Sequence, residues 1–201
     1  MRNVERRAQS LEKVLDASLE TLETVGYNRM RTADVAKRSG MSEGTLFRYF
    51  PTKYDLTKAA LELALSRHVT RIGEGFVKLE QPPTRRALLT MLWELLVHHE
   101  LAWTYELFAA SYSDPALRSA IAPILNAHSE EVDELGVAVL QEMEGVDAND
   151  AVRAINLSTW AMQGLVLRDM GRGPSNSEQT LIDYLLFVID AAHPQNPVPP
   201  G

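Results

Sequence analysis

Hydrophobic positions along this chain recur at three- and four-residue intervals almost throughout, and strict alternation is scarce, a pattern that predicts an all-α fold. Gly and Pro fall at the edges of the periodic stretches. Leu11, Val14, Leu15, Ala17, Ser18, Leu22 and Val25 keep the helical period. They predict a first helix from about Arg6 to Val25, ending on Gly26 as a left-handed cap. A short helix from Ala33 to Ser39 follows, with Thr32 as its N-cap. Gly40 then permits a tight turn, and Ser42 caps a third helix through Tyr49. Pro51 interrupts the chain, and Thr52-Lys53-Tyr54-Asp55 has the reciprocal capping pattern that restarts a longer helix toward about Arg71.

The remainder continues the same way. Gln81-Pro82-Pro83-Thr84 breaks the chain before a helix through Leu95 and another from Tyr105 to Tyr112. Asp114-Pro115 supplies an N-cap followed by Pro at the first helical position, opening a long helix toward Gly145 with Pro123 as a candidate kink. Asp147 or Asn149 caps the next helix, which stops at Gly171-Arg172-Gly173-Pro174, and Ser177 caps a last one reaching Ala192. About nine helices are expected, with 193–201 a Pro-rich flexible tail.

Charge changes this picture by region rather than in total. The net charge of −7 argues against a nucleic-acid partner. Residues 1–60, however, hold 11 Lys and Arg against 8 acids, while residues 61–201 hold 9 against 19. Between 26 and 53 six bases face only Asp34 and Glu43, so this short segment is the electrostatic candidate for DNA contact. With 45% hydrophobic residues the chain can bury a substantial core. It lacks cysteine, which excludes disulfides, thiolate nucleophiles and Cys-bound zinc. The charged N-terminus is unlike a signal peptide, and no run approaches the roughly 18 apolar residues of a membrane span. The expectation is a cytoplasmic protein without a membrane partner.

Within the basic segment, Val35, Ala36, Met41, Leu46 and Phe50 are spaced to close a small core between two short helices, and Gly40 lets the backbones approach at the turn. That leaves Ser42, Glu43, Gly44, Thr45, Arg48 and Tyr49 on the solvent side, where such groups can meet base edges and phosphates. Arg29, Arg31, Lys37 and Arg38 are further candidates for phosphate contact.

Thr32, Ala36, Gly40, Met41, Ser42, Thr45, Leu46, Phe47, Tyr49, Phe50, Lys53 and Leu56, preceded by Gly26-Tyr27, form one gapless pattern. It resembles the N-terminal signature of the tetracycline-repressor (TetR) family. Met41 stands where that family more often has Val, and Phe47 where it more often has Tyr, so a hydroxyl contact at 47 is absent. The resemblance implies that Thr32 caps its helix and bonds a phosphate, that Thr45 and Tyr49 touch backbone or bases in the major groove, and that Lys53 holds a phosphate. Ser42, Glu43, Gly44 and Arg48 would tune sequence choice, with Arg31 beside them. It implies a three-helix helix-turn-helix domain over 1–52, its motif at about 31–50, and a ligand-binding and dimerisation domain over 53–192.

In the acidic remainder, the last helix has Leu181, Leu185, Val188 and Ala192 on one stripe and Ile182, Leu186 and Ile189 on an adjoining one, more apolar surface than a helix with one broad wet face carries. With Thr159 and its neighbours on the preceding helix it would form half of an intersubunit four-helix bundle, the family's usual homodimer interface. Trp93, His98, Trp103, Tyr105, Phe108, Tyr112, Trp160 and Met162 are bulky groups with a few polar handles, suited to a cavity for a small hydrophobic or aromatic effector. Residues of these types at helical spacing also serve as plain core. Adjacent His98 and His99 point about 100° apart on a helix and suit no shared metal ion. No metal, cofactor or catalytic residue is expected.

The family's commonest behaviour then gives the functional expectation: a repressor released from a palindromic double-stranded operator when an effector shifts the helix that starts at Thr52. A ligand-independent DNA-binding regulator is the alternative. A helical enzyme built on His98, His99 or His128 is a weaker one, since no nucleophile elbow, phosphate loop or metal-spaced motif accompanies those histidines.

Overall fold

The computed structural model describes residues 2–97, 101–144 and 146–192, and among them lie nine α-helices and no strand. α1 (Arg2–Arg29) is bent at Gly26, whose φ of 76° and ψ of 169° lie outside helical geometry. The positive φ expected of a glycine there is present, but with an extended ψ rather than that of a left-handed cap, and helical turns resume beyond it. Tyr27 and Met30 are buried, and the Met30 N–H reaches the Gly26 carbonyl at 3.1 Å.

α2 (Thr32–Ser39) starts one residue earlier than expected, at Thr32 rather than Ala33. Arg31 holds the extended cap conformation and makes no side-chain capping bond, and its carbonyl accepts from Asp34 and Val35. Thr32 is therefore inside the helix rather than capping it. Gly40 ends α2 with a φ of 73°, the Gly40 N–H bonding the Lys37 carbonyl and the Met41 N–H that of Ala36. These two bonds are the glycine-terminated helix end that turns the chain sharply. α3 (Glu43–Tyr49) is capped by Ser42, whose Oγ accepts from the Thr45 N–H at 3.2 Å.

α4 (Lys53–Lys78) opens on the reciprocal cap: the Thr52 N–H donates to Asp55 at 3.0 Å and the Asp55 N–H to Thr52 Oγ1 at 3.1 Å. It runs past Arg71, where the sequence pattern ended it, because Ile72 is buried and Phe76 half-buried one turn apart. Gly75 does not break it. A Cβ there would lie 2.6 Å from the Met91 sulfur, so this glycine lets α4 approach α5 (Arg85–Val97). α6 (Ala102–Ser113) follows, and residues 98–100, which include His98 and His99, lie outside the described residues.

Asp114 caps α7 (Pro115–Glu144) by accepting from the Leu117 N–H at 3.0 Å, and the helix continues through Pro123. Asp147 caps α8 (Ala148–Arg172), which ends where Gly173 takes a φ of 86°. α9 (Glu178–Ala192) begins after Ser177, whose hydroxyl donates to the Ser175 carbonyl instead of capping the helix. The expected tail, 193–201, is outside the described residues.

Compactness does not divide the chain at 52/53. One unit comprises residues 1–68 and 98–128, the other 69–97 and 129–201. The physical reason is a shared core. Val14, Leu22, Val35, Leu46, Leu56 and Leu61 pack into one cluster with Trp103 and Leu107 of α6 and Leu117 and Ile121 of α7. The three N-terminal helices are thus built onto α4, α6 and the start of α7. In the second unit Leu89, Trp93, Met162, Ile182 and Leu185 form a separate cluster.

Candidate nucleic-acid interface

In the first unit, burial sorts the helix-turn-helix residues into two faces. Val35, Ala36, Leu46 and Phe50 are buried and Met41 packs half-buried against them. Consequently Ser42, Glu43, Gly44 and Arg48 are exposed, with Thr45 and Tyr49 half-buried at the edge of the same face. Arg31 is exposed and Thr32 half-buried. Ser42 and Thr45 hydroxyls share a hydrogen bond of 2.9 Å, which holds both at the helix start. Phe47 is 40% exposed, an apolar group on the same helix as the exposed polar residues.

Basic residues around this face fall into two groups. Arg38 is paired with Glu20 at 2.9 Å, and the Arg29 Nε donates to the Val25 carbonyl at 3.0 Å. Arg31, Lys37 and Arg48 are exposed and make no ion pair among the described residues. A guanidinium from outside the motif also reaches it: the Arg7 carbon lies 5.7 Å from the centre of the Tyr49 ring. No local pattern in the sequence signals that contact, because it joins α1 to α3.

Lys53 is held more firmly than an exposed phosphate anchor. Its Nζ donates to the Tyr27 carbonyl at 3.0 Å and lies 4.4 Å from the Tyr27 ring centre. Burial lowers its pKa, and burial likewise raises that of Tyr27, with smaller contributions from Tyr54 and Asp114. An ammonium carries three donors, so the Tyr27 bond leaves capacity for a phosphate. Next to it the Tyr54 hydroxyl donates to Asp114 at 2.6 Å. The bond from the Leu117 N–H, then that from Tyr54, holds the Asp114 carboxyl below the usual carboxylate range, while the same hydrogen bond raises the Tyr54 pKa. The start of α4 is thereby tied to the start of α7.

The second unit holds a half-open cavity of about 70 Å³. Its walls are mainly aliphatic, among them Leu88, Leu92, Val139, Leu140 and Ile155, with Phe76 as the one aromatic among the described residues. Arg85, Asp150 and Ser158 supply polar groups, and Arg85 is buried and paired with Asp190. None of the described residues expected around an effector lines this space. Trp93 and Met162 are buried in the second core, Trp103 in the first, and Trp160 is exposed on α8. Tyr105 is half-buried against Phe108, which like Tyr112 is exposed on α6. His98 is outside the described residues. Aromatic size selected those positions, whereas branched aliphatic side chains build the cavity.

The expected dimer stripe is likewise rotated. Leu185 is 4% exposed and belongs to the second core, and Leu181 packs against it. Thr159 is half-buried, while Val188 and Ala192 are exposed. The apolar surface left uncovered is instead Leu157, Trp160, Leu167 and Met170 on α8, with Tyr184, Phe187 and Val188 on α9, of which Trp160 and Phe187 are 67% and 71% exposed.

Among the described residues no helix is long and apolar enough to cross a membrane. Comparison with known proteins finds the family model "Bacterial regulatory proteins, tetR family" over residues 14–60, which spans α2, α3 and the start of α4. An uncharacterized HTH-type transcriptional regulator of Mycobacterium bovis is 33% identical over 140 residues, covering 67% of this chain and 70% of that protein. The HTH-type transcriptional regulator CymR of Pseudomonas putida is 27% identical, with 83% and 82% covered. The fold is shared with the transcriptional regulator FadR of Bacillus subtilis, solved in complex with stearoyl-CoA. That match has a TM-score of 0.62 at 20% identity and covers 89% of this chain and 97% of that one.

Proposed function

The chain belongs to the tetR family of bacterial regulatory proteins, and on that premise we propose that this DNA-binding transcriptional regulator reads a palindromic operator with α3 and leaves it on binding a small apolar effector. The observation that carries the DNA half is the split of the helix-turn-helix into a buried Val35–Leu46–Phe50 side and an exposed polar side on α3. Arg31, Thr32, Ser42, Glu43, Gly44, Thr45, Arg48 and Tyr49 supply base and phosphate contacts, and Lys53 anchors a phosphate from the start of α4.

A homodimer carries two copies of α3, and successive major-groove faces lie about 34 Å apart, so an inverted repeat matches the two-fold symmetry of the protein. The uncovered apolar surface of α8 and α9 supports dimerisation through those helices. A regulator of this kind works where the chromosome is, in the cytoplasm.

The largely aliphatic cavity supports a hydrophobic effector, and the stearoyl-CoA in the FadR structure is a precedent for acyl ligands on this fold. α4 contributes Phe76 to the cavity wall and Lys53 to the reading end, so displacement of that helix is the route by which occupancy weakens DNA binding. Effector and DNA then oppose each other by the same factor in both directions. Repression is the direction of control we favour.

Selection of bound duplexes from a random pool, followed by mobility-shift titration, tests this reading. An inverted repeat is expected. Tyr49→Ala and Lys53→Ala should each weaken binding by about ten- to a hundredfold, on the usual worth of such contacts, with the dimer intact. Unchanged binding by both variants would remove α3 as the reader.

A further inference from the structure

We infer that Arg7, which precedes the family-model match, is a DNA-phosphate contact that extends the footprint of the reading helix. Its guanidinium carbon lies 5.7 Å from the centre of the Tyr49 ring, although α1 and α3 are far apart in sequence. The inference rests on the reading above that α3 meets DNA, and it adds a residue outside the helix-turn-helix and outside residues 14–60.

Three observations converge on Arg7. It is exposed, so its charge is available to a partner. It makes no ion pair among the described residues, although Glu5 and Glu12 lie on the same helix, whereas Arg38 is committed to Glu20 and Arg67 to Asp16. And it sits over an aromatic ring of the reading helix rather than over a random surface.

The chemistry follows from the shape of the group. A guanidinium is planar and carries five N–H donors, and against an aromatic ring it is held by attraction to the ring's electron-rich face. Held there, its donors remain free for the forked hydrogen bonds that a phosphate oxygen pair accepts. Tyr49 lies in the last turn of α3, so the phosphate served by Arg7 belongs to the strand bordering that end of the helix. Lys53, beyond Phe50 and Pro51, is committed to Tyr27 by one donor. Arg7 therefore adds a further cation, beside Arg48 and Lys53, near the C-terminal end of α3.

Mobility-shift titrations of the full chain on its selected operator, at several salt concentrations, test the assignment with Arg7→Ala, Arg7→Lys and Tyr49→Ala. Counterion release makes the slope of log affinity against log salt shrink by about one for every phosphate contact removed, hence by about two for a dimer losing both copies. Arg7→Ala should show that change, with affinity reduced by about three- to tenfold per protomer near physiological salt, and Arg7→Lys should keep the slope. An Arg7→Ala slope equal to that of the unmodified protein would overturn the inference, leaving Arg7 as a buttress for Tyr49. Should Tyr49→Ala bind as tightly as the unmodified protein while Arg7→Ala is impaired, the reading of α3 fails and the Arg7 contact stands apart from it.

Discussion

At Gly26 the chain meets two demands that favour a residue without a Cβ. Its φ of 76° is left-handed, and a Cβ there would run into the Glu106 carboxylate of α6, which also accepts from the Asn28 N–H at 3.3 Å. The two demands differ in weight. Glu106 ends in a flexible side chain that can swing aside, whereas the backbone conformation is fixed by the bend that carries Tyr27 and Met30 into the core. Gly26→Ala should therefore cost about 1–3 kcal/mol, mostly from backbone strain, and adding Glu106→Ala should recover only a minor part. Urea denaturation checks both, and full recovery in the double variant would mean that sterics dominate. Gly40, with open space around it, is needed for its conformation alone.

Between elements, the hydrogen bond of Tyr54 to Asp114 is the feature with a pH signature. Asp114 titrates below the usual carboxylate range, first because it caps α7 and then because Tyr54 donates to it. A carboxyl whose folded pKa is depressed contributes stability that is complete above its unfolded value and fades as pH falls through the folded one. Tyr54 is shifted the opposite way, so its contribution is present at neutral pH and is lost as pH rises above the ordinary tyrosine range. Asp114→Asn should flatten the acid limb of the stability profile between the ordinary carboxylate pKa and lower pH. An acid limb identical to that of the unmodified protein would show that the capping bond does not couple to folding. The caps themselves were legible in advance: Ser42, Thr52 with Asp55, Asp114 and Asp147 all bond as their local sequence indicates. Thr32 and Ser177 were not: α2 starts one residue early with the Arg31 carbonyl accepting its first bonds, and the Ser177 hydroxyl, although α9 starts directly after it, turns to the Ser175 carbonyl.

For the whole molecule, the uncovered surface of α8 and α9 gives the sharpest contrast between residues that the sequence pattern treats alike. Trp160 and Phe187 are exposed, and Leu185, on the same helix as Phe187, is buried in the second core. If the proposed dimer forms through this face, Trp160→Glu with Phe187→Glu should yield monomers and leave helicity unchanged. Leu185→Asp should instead unfold its unit, since an unpaired buried charge costs several kcal/mol. Sedimentation with circular dichroism separates the two outcomes, and a dimeric mass for the Trp160/Phe187 variant would exclude this face.

The sequence alone determined what depends on neighbours within a few turns: the helical period, the glycine at the α2–α3 turn, most caps, and the buried and exposed sides of the helix-turn-helix. These follow from backbone geometry and local hydrogen bonding. It could not determine which side of an all-round apolar helix such as α9 meets its own core, nor which apolar residues enclose a cavity instead of filling one. It also left Arg7 as one base among many and gave no sign that α1–α4 share a core with α6 and α7 across the expected 52/53 boundary. Those outcomes belong to the tertiary structure, because burial is settled by which surfaces meet across the fold, and residues of equal hydrophobicity take opposite sides according to the neighbours they find.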